Sequence, residues 1–220
     1  QANRYRVPRL CFINKMDRIG ADFSHAVASI RHRLGANPVC LQLPIGAEAD
    51  FRGVVDLLHM QAIYWSDALG ARREYGEIPS AMQAAATAAR AELIERIAEQ
   101  DDSLLADWLE GIEPPIEALK AALRRATLAN QVVPVLCGSA LRNKGVQPLL
   151  DAVVDYLPSP TDIGEITGTH PESGQPLQCQ PTDEAPLSAL LFKTGDLRWS
   201  PTTSPRRSPS STGAKNSLLS

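Results

Sequence analysis

The sequence predicts an α/β fold, a parallel sheet with helices, interrupted by an α+β insertion. Three observations predict it. Short apolar runs at 7–13 and 132–137 read as buried strands, each followed by a polar loop and then by an apolar-periodic helix. That order is the order of parallel α/β sheets, whose loops at the carboxyl ends of strands bind ligands. The two loops are separated by about 120 residues, far beyond an ordinary connection, so an inserted α+β segment is the simplest account.

Each element follows from its residues. Residues 1–6 read as the end of a helix cut from its upstream part. Val7, Leu10, Cys11, Phe12 and Ile13 make the first strand apolar. Phe23, Val27, Ile30 and Leu34 then fall on one helix face, with Gly35 as the stop. Residues 39–45 alternate apolar and polar, as a half-buried strand does. Residues 54–58 and 62–65 are further strands, and 72–75 a short one. A long helix over 79–99 carries Met82, Leu93, Ile94 and Ile97. Asp102 or Ser103 caps a short helix holding Leu104, Leu105, Trp108 and Leu109. Pro114 and Pro115 open another through Leu119, Leu123 and Leu128. After the strand at 132–137, Val146, Leu149, Leu150, Val153, Val154 and Leu157 form a continuous apolar stripe, with Pro148 acceptable in the first turn. Pro158 and Pro160 end it. Residues 161–186 suit an extended linker, and 187–193 read as a strand.

The two loops carry the chemistry. Asn14-Lys15-Met16-Asp17 ends the first strand, and Gly138-Ser139-Ala140 ends the second. Guanine presents two N–H donors on one edge, and a carboxylate such as Asp17 accepts both in a fork. Adenine has an acceptor where guanine carries its N1 proton, so Asp17 rejects it. Asn14 offers an amide to the other side of the base and to the neighbouring loop. The stem of Lys15 can lie on the ring while its ammonium stays wet. The Ala140 N–H suits the guanine carbonyl, and the Ser139 hydroxyl can hold Asp17. A chance match to Asn-Lys-x-Asp has odds of roughly 3% in a chain this long, so placement after strands matters to the reading.

Residues 7–23, VPRLCFINKMDRIGADF, and 134–160, PVLCGSALRNKGVQPLLDAVVDYLPSP, strongly resemble bacterial-type translation elongation factor G. Residues 44–65, PIGAEADFRGVVDLLHMQAIYW, resemble the insertion within that family's GTPase domain. The resemblance covers roughly residues 1–193 and implies the C-terminal half of a P-loop GTPase domain, followed by the first strand of a β-barrel domain; it stops there, before a tail whose composition predicts disorder. It divides the chain into a GTPase part at 1–34, an insertion subdomain at 35–131, a closing GTPase part at 132–160, a linker and barrel start at 161–193, and a tail at 194–220. It assigns Asn14, Lys15, Asp17, Ser139, Ala140 and Leu141 to the guanine base of GTP or GDP. It implies GTP-driven movement of tRNA and mRNA through the ribosome, with the insertion facing the ribosomal stalk, in a cytoplasmic monomer.

The sequence contains no G-x-x-x-x-G-K-[ST] phosphate loop, no switch threonine for Mg²⁺ and no Asp-x-x-Gly-His. In the family these lie upstream of Gln1. No catalytic or metal-binding residue is therefore expected in this chain, which is predicted to be inactive alone. A GTPase that recycles release factors is the related alternative, and a stand-alone interaction module is the alternative of another class. Residues 194–220 are dominated by Ser, Pro, Thr, Arg and Gly, a composition that predicts disorder. A shifted or mis-joined reading frame accounts for the break.

Composition sets outer bounds. A length of 220 residues allows one large domain or two small ones, and 44% apolar content supports a real core. A net charge of −3 carries no general polyanion-binding signature. The sequence has no bilayer-length apolar run and no signal-peptide pattern. The four cysteines form no C-x-x-C pair, which predicts a reduced, cytosolic protein with Cys11 and Cys137 as small core residues.

Overall fold

Three parallel strands organise the first part of the chain: β1 (Cys11–Ile13), β7 (Val133–Cys137) and β2 (Pro38–Cys40), in the order β1-β7-β2. The computed structural model describes residues 2–67, 69–170, 173–182 and 184–185. The strand expected at 187–193 and the tail at 194–220 lie outside the described residues. The chain divides into two units, 1–158 and 159–220.

In the first unit, β7 is the central strand and is buried along its whole length. Val135 and Cys137 face one core cluster and Leu136 the other, as the period of two requires. Pro134 sits in this central strand without breaking it. Gly138 N–H donates to Ile13, so the N–H groups of even parity face β1. The β1 ladder begins only at Cys11↔Val135, below which Pro134 has no β1 partner to lose. The same limit shortens the strand expected at 7–13 to Cys11–Ile13. Residues 2–6 are hydrogen-bonded turns rather than helix, closed by Val7 N–H to the Ala2 carbonyl with Arg6 left-handed.

Helix α1 (Phe23–Leu34) starts where Asp22 Oδ1 accepts the His25 N–H at 2.8 Å and stops at Gly35, φ 58°. The stretch 39–45, expected as one strand, splits into β2 and β3 (Gln42–Ile45) on different sheets. Leu41 N–H still pairs with Val135, and then the buried Gln42 side chain takes over as acceptor for Cys137 N–H at 3.3 Å. β3 opens a second, antiparallel sheet with β4 (Gly53–Asp56), β5 (Gln61–Trp65) and β6 (Arg73–Gly76), in that order.

The long helix of the sequence reading is α2 (Gln83–Ala98), preceded by a 3-10 turn at Ser80–Met82. Asp101, not Asp102 or Ser103, caps α3 (Asp102–Leu109), because its carboxylate reaches the N–H groups of Ser103 and Leu104. α4 (Ile116–Leu128) follows Pro115, and α5 (Val146–Tyr156) follows β7. Leu93, Ile94, Ile97, Leu119, Leu123 and Tyr156 pack with Val55, Leu57 and Leu136 in one core cluster. Arg90 joins α2 to the β4–β5 turn, donating to the Leu57 and Leu58 carbonyls at 2.6 and 2.8 Å. The apolar stripe of α5 is not covered throughout: Leu150 and Val154 are 58% and 77% exposed. Burial pushes the Cys40 thiol up to about 11, in keeping with a packing role.

In the second unit the expected extended linker carries regular structure. A short helix α6 (Pro160–Ile163) has a capping box, Ser159 N–H to Asp162 Oδ2 at 2.6 Å. A hairpin follows, β8 (Ile166–Thr169) with β9 (Pro176–Cys179), closed by His170 N–H to the Gln175 carbonyl at 2.8 Å. Among the described residues no helix is long and apolar enough to cross a membrane.

Candidate functional site

The two motif loops leave neighbouring parallel strands at the same end of the sheet, because Ile13 is in register with Cys137. The first loop turns immediately after β1. Lys15 adopts φ 65°, a left-handed conformation unusual for a residue with a side chain. Three hydrogen bonds hold it there. Asn14 Oδ1 accepts the Lys15 N–H at 2.8 Å, Met16 N–H donates to the Gly138 carbonyl at 3.1 Å, and the Met16 carbonyl accepts the Glu48 N–H at 2.8 Å. The Met16 side chain is buried against the cluster containing Phe23, Phe51 and Trp65. The unspecified position of Asn-Lys-x-Asp is therefore the anchor of the loop, with Asn14 and Lys15 exposed before it.

The second loop is a closed turn. Ser139 N–H donates to Lys144 O at 2.8 Å and Lys144 N–H returns to Ser139 O at 3.0 Å, bracketing a 3-10 turn at Ala140–Arg142. Gly138 is required at its root. A Cβ there would strike the Lys144 carbonyl and lie 2.8 Å from Phe12 Cζ. The loops are bonded to each other, since Ala140 N–H donates to Asn14 Oδ1 at 2.9 Å across 126 positions of sequence. The proton that the sequence reading offers to a ring carbonyl is thus donated here to Asn14.

Asp17 sits where the loops meet, with 7% of its side chain exposed. The neighbouring Ser139 hydroxyl is the largest influence holding its carboxyl below the usual range. Its own backbone N–H and the charges of Arg142 and Arg18 add to this, against the opposing effect of burial. Ser139 Oγ lies beside the carboxylate but outside hydrogen-bond geometry, and it is buried with no formed partner. A buried hydroxyl without a partner is costly unless a ligand or a small shift completes it. The Arg142 guanidinium reaches Asp17 Oδ2 through Nε at 3.1 Å.

The structure brings Asn14, Lys15, Asp17, Ser139 and Ala140 together at one end of the sheet. Leu141 lies on the same 3-10 turn and is 84% exposed. Residues that the sequence reading did not single out hold both loops from behind. Glu48, in the β3–β4 loop, grips the first: its Oε1 accepts the Gly20 N–H at 2.7 Å. The β5–β6 loop grips the second: Asn143 Nδ2 and Gln147 Nε2 donate to the Gly70 carbonyl at 3.2 and 2.7 Å. Trp65 Nε1 then donates to Gln147 Oε1 at 3.0 Å. None of these has a sequence signal, because each partner is remote in the chain. Arg142 was legible only as a cation next to the second motif.

The arrangement suits a flat, polar ring with adjacent N–H donors: a buried carboxylate, an unpaired hydroxyl and an amide converge on one spot. Among the described residues, no three His, Cys, Asp or Glu side chains come together as a group that could hold a metal ion. An open cavity of about 730 Å³ lies away from these loops, lined in part by Asp56, His59, Arg73, Lys120, Asp151 and Asp155. Its polar groups are paired, the His59 ring with Asp56 at 2.8 Å, Arg73 with Asp151 at 2.7 Å and Lys120 with Asp155 at 3.5 Å.

Comparison with known proteins bears on this geometry. The family model of the elongation factor Tu GTP-binding domain matches residues 1–159. A protein of Thermus thermophilus, known from its crystal structure, superposes with a TM-score of 0.66 at 29% identity. The match covers 81% of this chain and 27% of that one, so the chain spans about a quarter of the other's length.

Proposed function

The chain belongs to the elongation factor Tu GTP-binding domain family, and on that footing we propose that its two converging loops bind the guanine base of GTP or GDP. Asp17 accepts the N1 and amino protons of the base. Asn14 locks the loops together and faces the ring, and the Lys15 stem and Leu141 flank it. Ser139 completes the Asp17 carboxylate, and the Ala140 amide is shared between Asn14 and the ring carbonyl. The single observation carrying this reading is the 2.9 Å bond from Ala140 N–H to Asn14 Oδ1, which closes the two motifs into one pocket beside a buried, acidic Asp17.

The quoted resemblance of residues 7–23, 44–65 and 134–160 supports the finer assignment to elongation factor G. On that reading the whole protein moves tRNA and mRNA through the ribosome at the expense of GTP, in the cytoplasm. Its insertion contacts the ribosomal stalk. Magnesium and the phosphates are held by segments whose motifs this sequence lacks, so the 220-residue chain binds the nucleotide weakly and does not turn it over.

Base choice tests the pocket. Calorimetry of the full chain with GDP, ADP and xanthosine diphosphate is expected to rank GDP first. Asp17→Asn is expected to lose GDP binding by on the order of 2–4 kcal/mol and to prefer the xanthine nucleotide, whose carbonyl accepts from the new amide. Equal GDP binding by the wild type and Asp17→Asn would remove Asp17 from the site.

A further inference from the structure

We propose that Arg142 is an internal competitor of the base: its guanidinium and the guanine edge take turns on the Asp17 carboxylate. The proposal rests on the guanine reading of the pocket and adds to it what Asp17 binds when the base is away. The chemistry of the two donors is alike. Guanine presents N1–H and an exocyclic amine on one carbon, which is the donor unit of a guanidinium, and both match a carboxylate. Arg142 Nε stands 3.1 Å from Asp17 Oδ2, one of the two oxygens that the base would use.

The burial of the two partners is unequal, and that inequality makes an exchange feasible. The Asp17 side chain is 7% exposed, so an unpaired charge there is expensive and some cation or donor must stand against it. The Arg142 side chain is 56% exposed, so its guanidinium can return to water with little loss. Its backbone, in contrast, is fixed. Arg142 N–H donates to Ser139 O at 3.1 Å, Asn143 N–H to Ala140 O at 3.0 Å, and Asn143 closes the turn at φ 53°. A Cβ on Gly70 would meet the carbonyls of Arg142 and Asn143, so the β5–β6 loop packs directly beneath the turn. Only the side chain is therefore free to move, and it pivots at the mouth of the pocket. Arg142 stabilises the empty site and lowers the net gain on binding by the free energy of the pair it gives up.

The test is calorimetric titration of the full chain with GDP, comparing wild type, Arg142→Gln, Arg142→Lys, Asp17→Asn and the Asp17→Asn/Arg142→Gln pair. Melting curves close to wild type establish that each variant is folded, and Arg142→Lys keeps the charge should the Gln variant lose stability. Arg142→Gln is expected to bind GDP about two- to fivefold more tightly at low salt, and Arg142→Lys by less. The wild-type to Gln ratio is expected to shrink toward one at about 0.5 M salt, where an exposed pair is screened. In the Asp17→Asn background, Arg142→Gln is expected to change nothing. Unchanged or weaker binding by Arg142→Gln, with Asp17→Asn still impaired, overturns the competitor alone. The titrations run to millimolar GDP to capture weak binding; GDP binding that Asp17→Asn leaves intact, or that no variant displays even there, overturns the guanine reading and the competitor with it.

Discussion

Glu48 holds Gly20 across the sheet boundary: its Oε1 accepts the Gly20 N–H at 2.7 Å while its own N–H donates to the Met16 carbonyl at 2.8 Å. Glu48 belongs to the loop between two strands of the antiparallel sheet, and Gly20 to the loop that carries Asp17. The second sheet therefore serves as backing for the first motif. Glu48 itself is left-handed, φ 54°, a conformation sustained by this double hold.

Glu48→Ala is expected to lower stability by about 1 kcal/mol, the scale of a net hydrogen bond at a partly exposed site. Glu48→Gln keeps an acceptor of the same reach and is expected to lose less than half of that. Urea denaturation of both variants checks this. Equal losses for Ala and Gln would mean that Glu48 Oε1 contributes nothing through Gly20.

Gly138→Ala is expected to destabilise by about 1–3 kcal/mol through overpacking. The added methyl meets the Lys144 carbonyl, which cannot retreat because it accepts the Ser139 N–H at 2.8 Å. Phe12→Leu removes the other obstacle, the ring edge, and is expected to rescue only part of the loss. A double variant restored to the stability of Phe12→Leu alone would show that the carbonyl yields.

Asp101 gives a pH dependence with a definite sign. Its carboxylate caps α3 and pairs with Arg125, and the Arg125 side chain is the largest cause holding its pKa below the ordinary 3.8. The unfolded chain then binds the proton more readily than the folded one, so stability rises with pH through this range. The contribution is complete above about 3.8 and is lost as pH falls through the lower folded value. Asp101→Ala is expected to be less stable than wild type by about 1–2 kcal/mol at pH 7, the cost of a lost cap. That gap is expected to narrow below about pH 4, as read from urea midpoints. A gap that stays constant down to pH 3 would disconnect it from the carboxylate charge.

The sequence by itself determined the parallel strands at the motif loops, the helices with their approximate limits, and the five polar or backbone groups gathered at one end of the sheet. Those features are local. A strand shows as an apolar run, a helix as a period with Gly35 at its end, and each motif loop as polar residue types within four positions of each other. What only the tertiary structure decided depends on partners far apart in the chain. Residues 39–45 divide between two sheets because Val135 and Cys137, almost 100 positions away, set where pairing ends. Asp101 caps α3 in place of Asp102 because its carboxylate reaches the Ser103 and Leu104 N–H groups, and it also pairs with Arg125, 24 positions away. The stripe on α5 leaves Leu150 and Val154 exposed because periodicity records an apolar face and not what covers it. Glu48, Gly70, Gln147 and Arg142 became part of the site for the same reason. Each acts on a motif loop through a contact that chain folding creates, and no spacing in the sequence encodes such a contact.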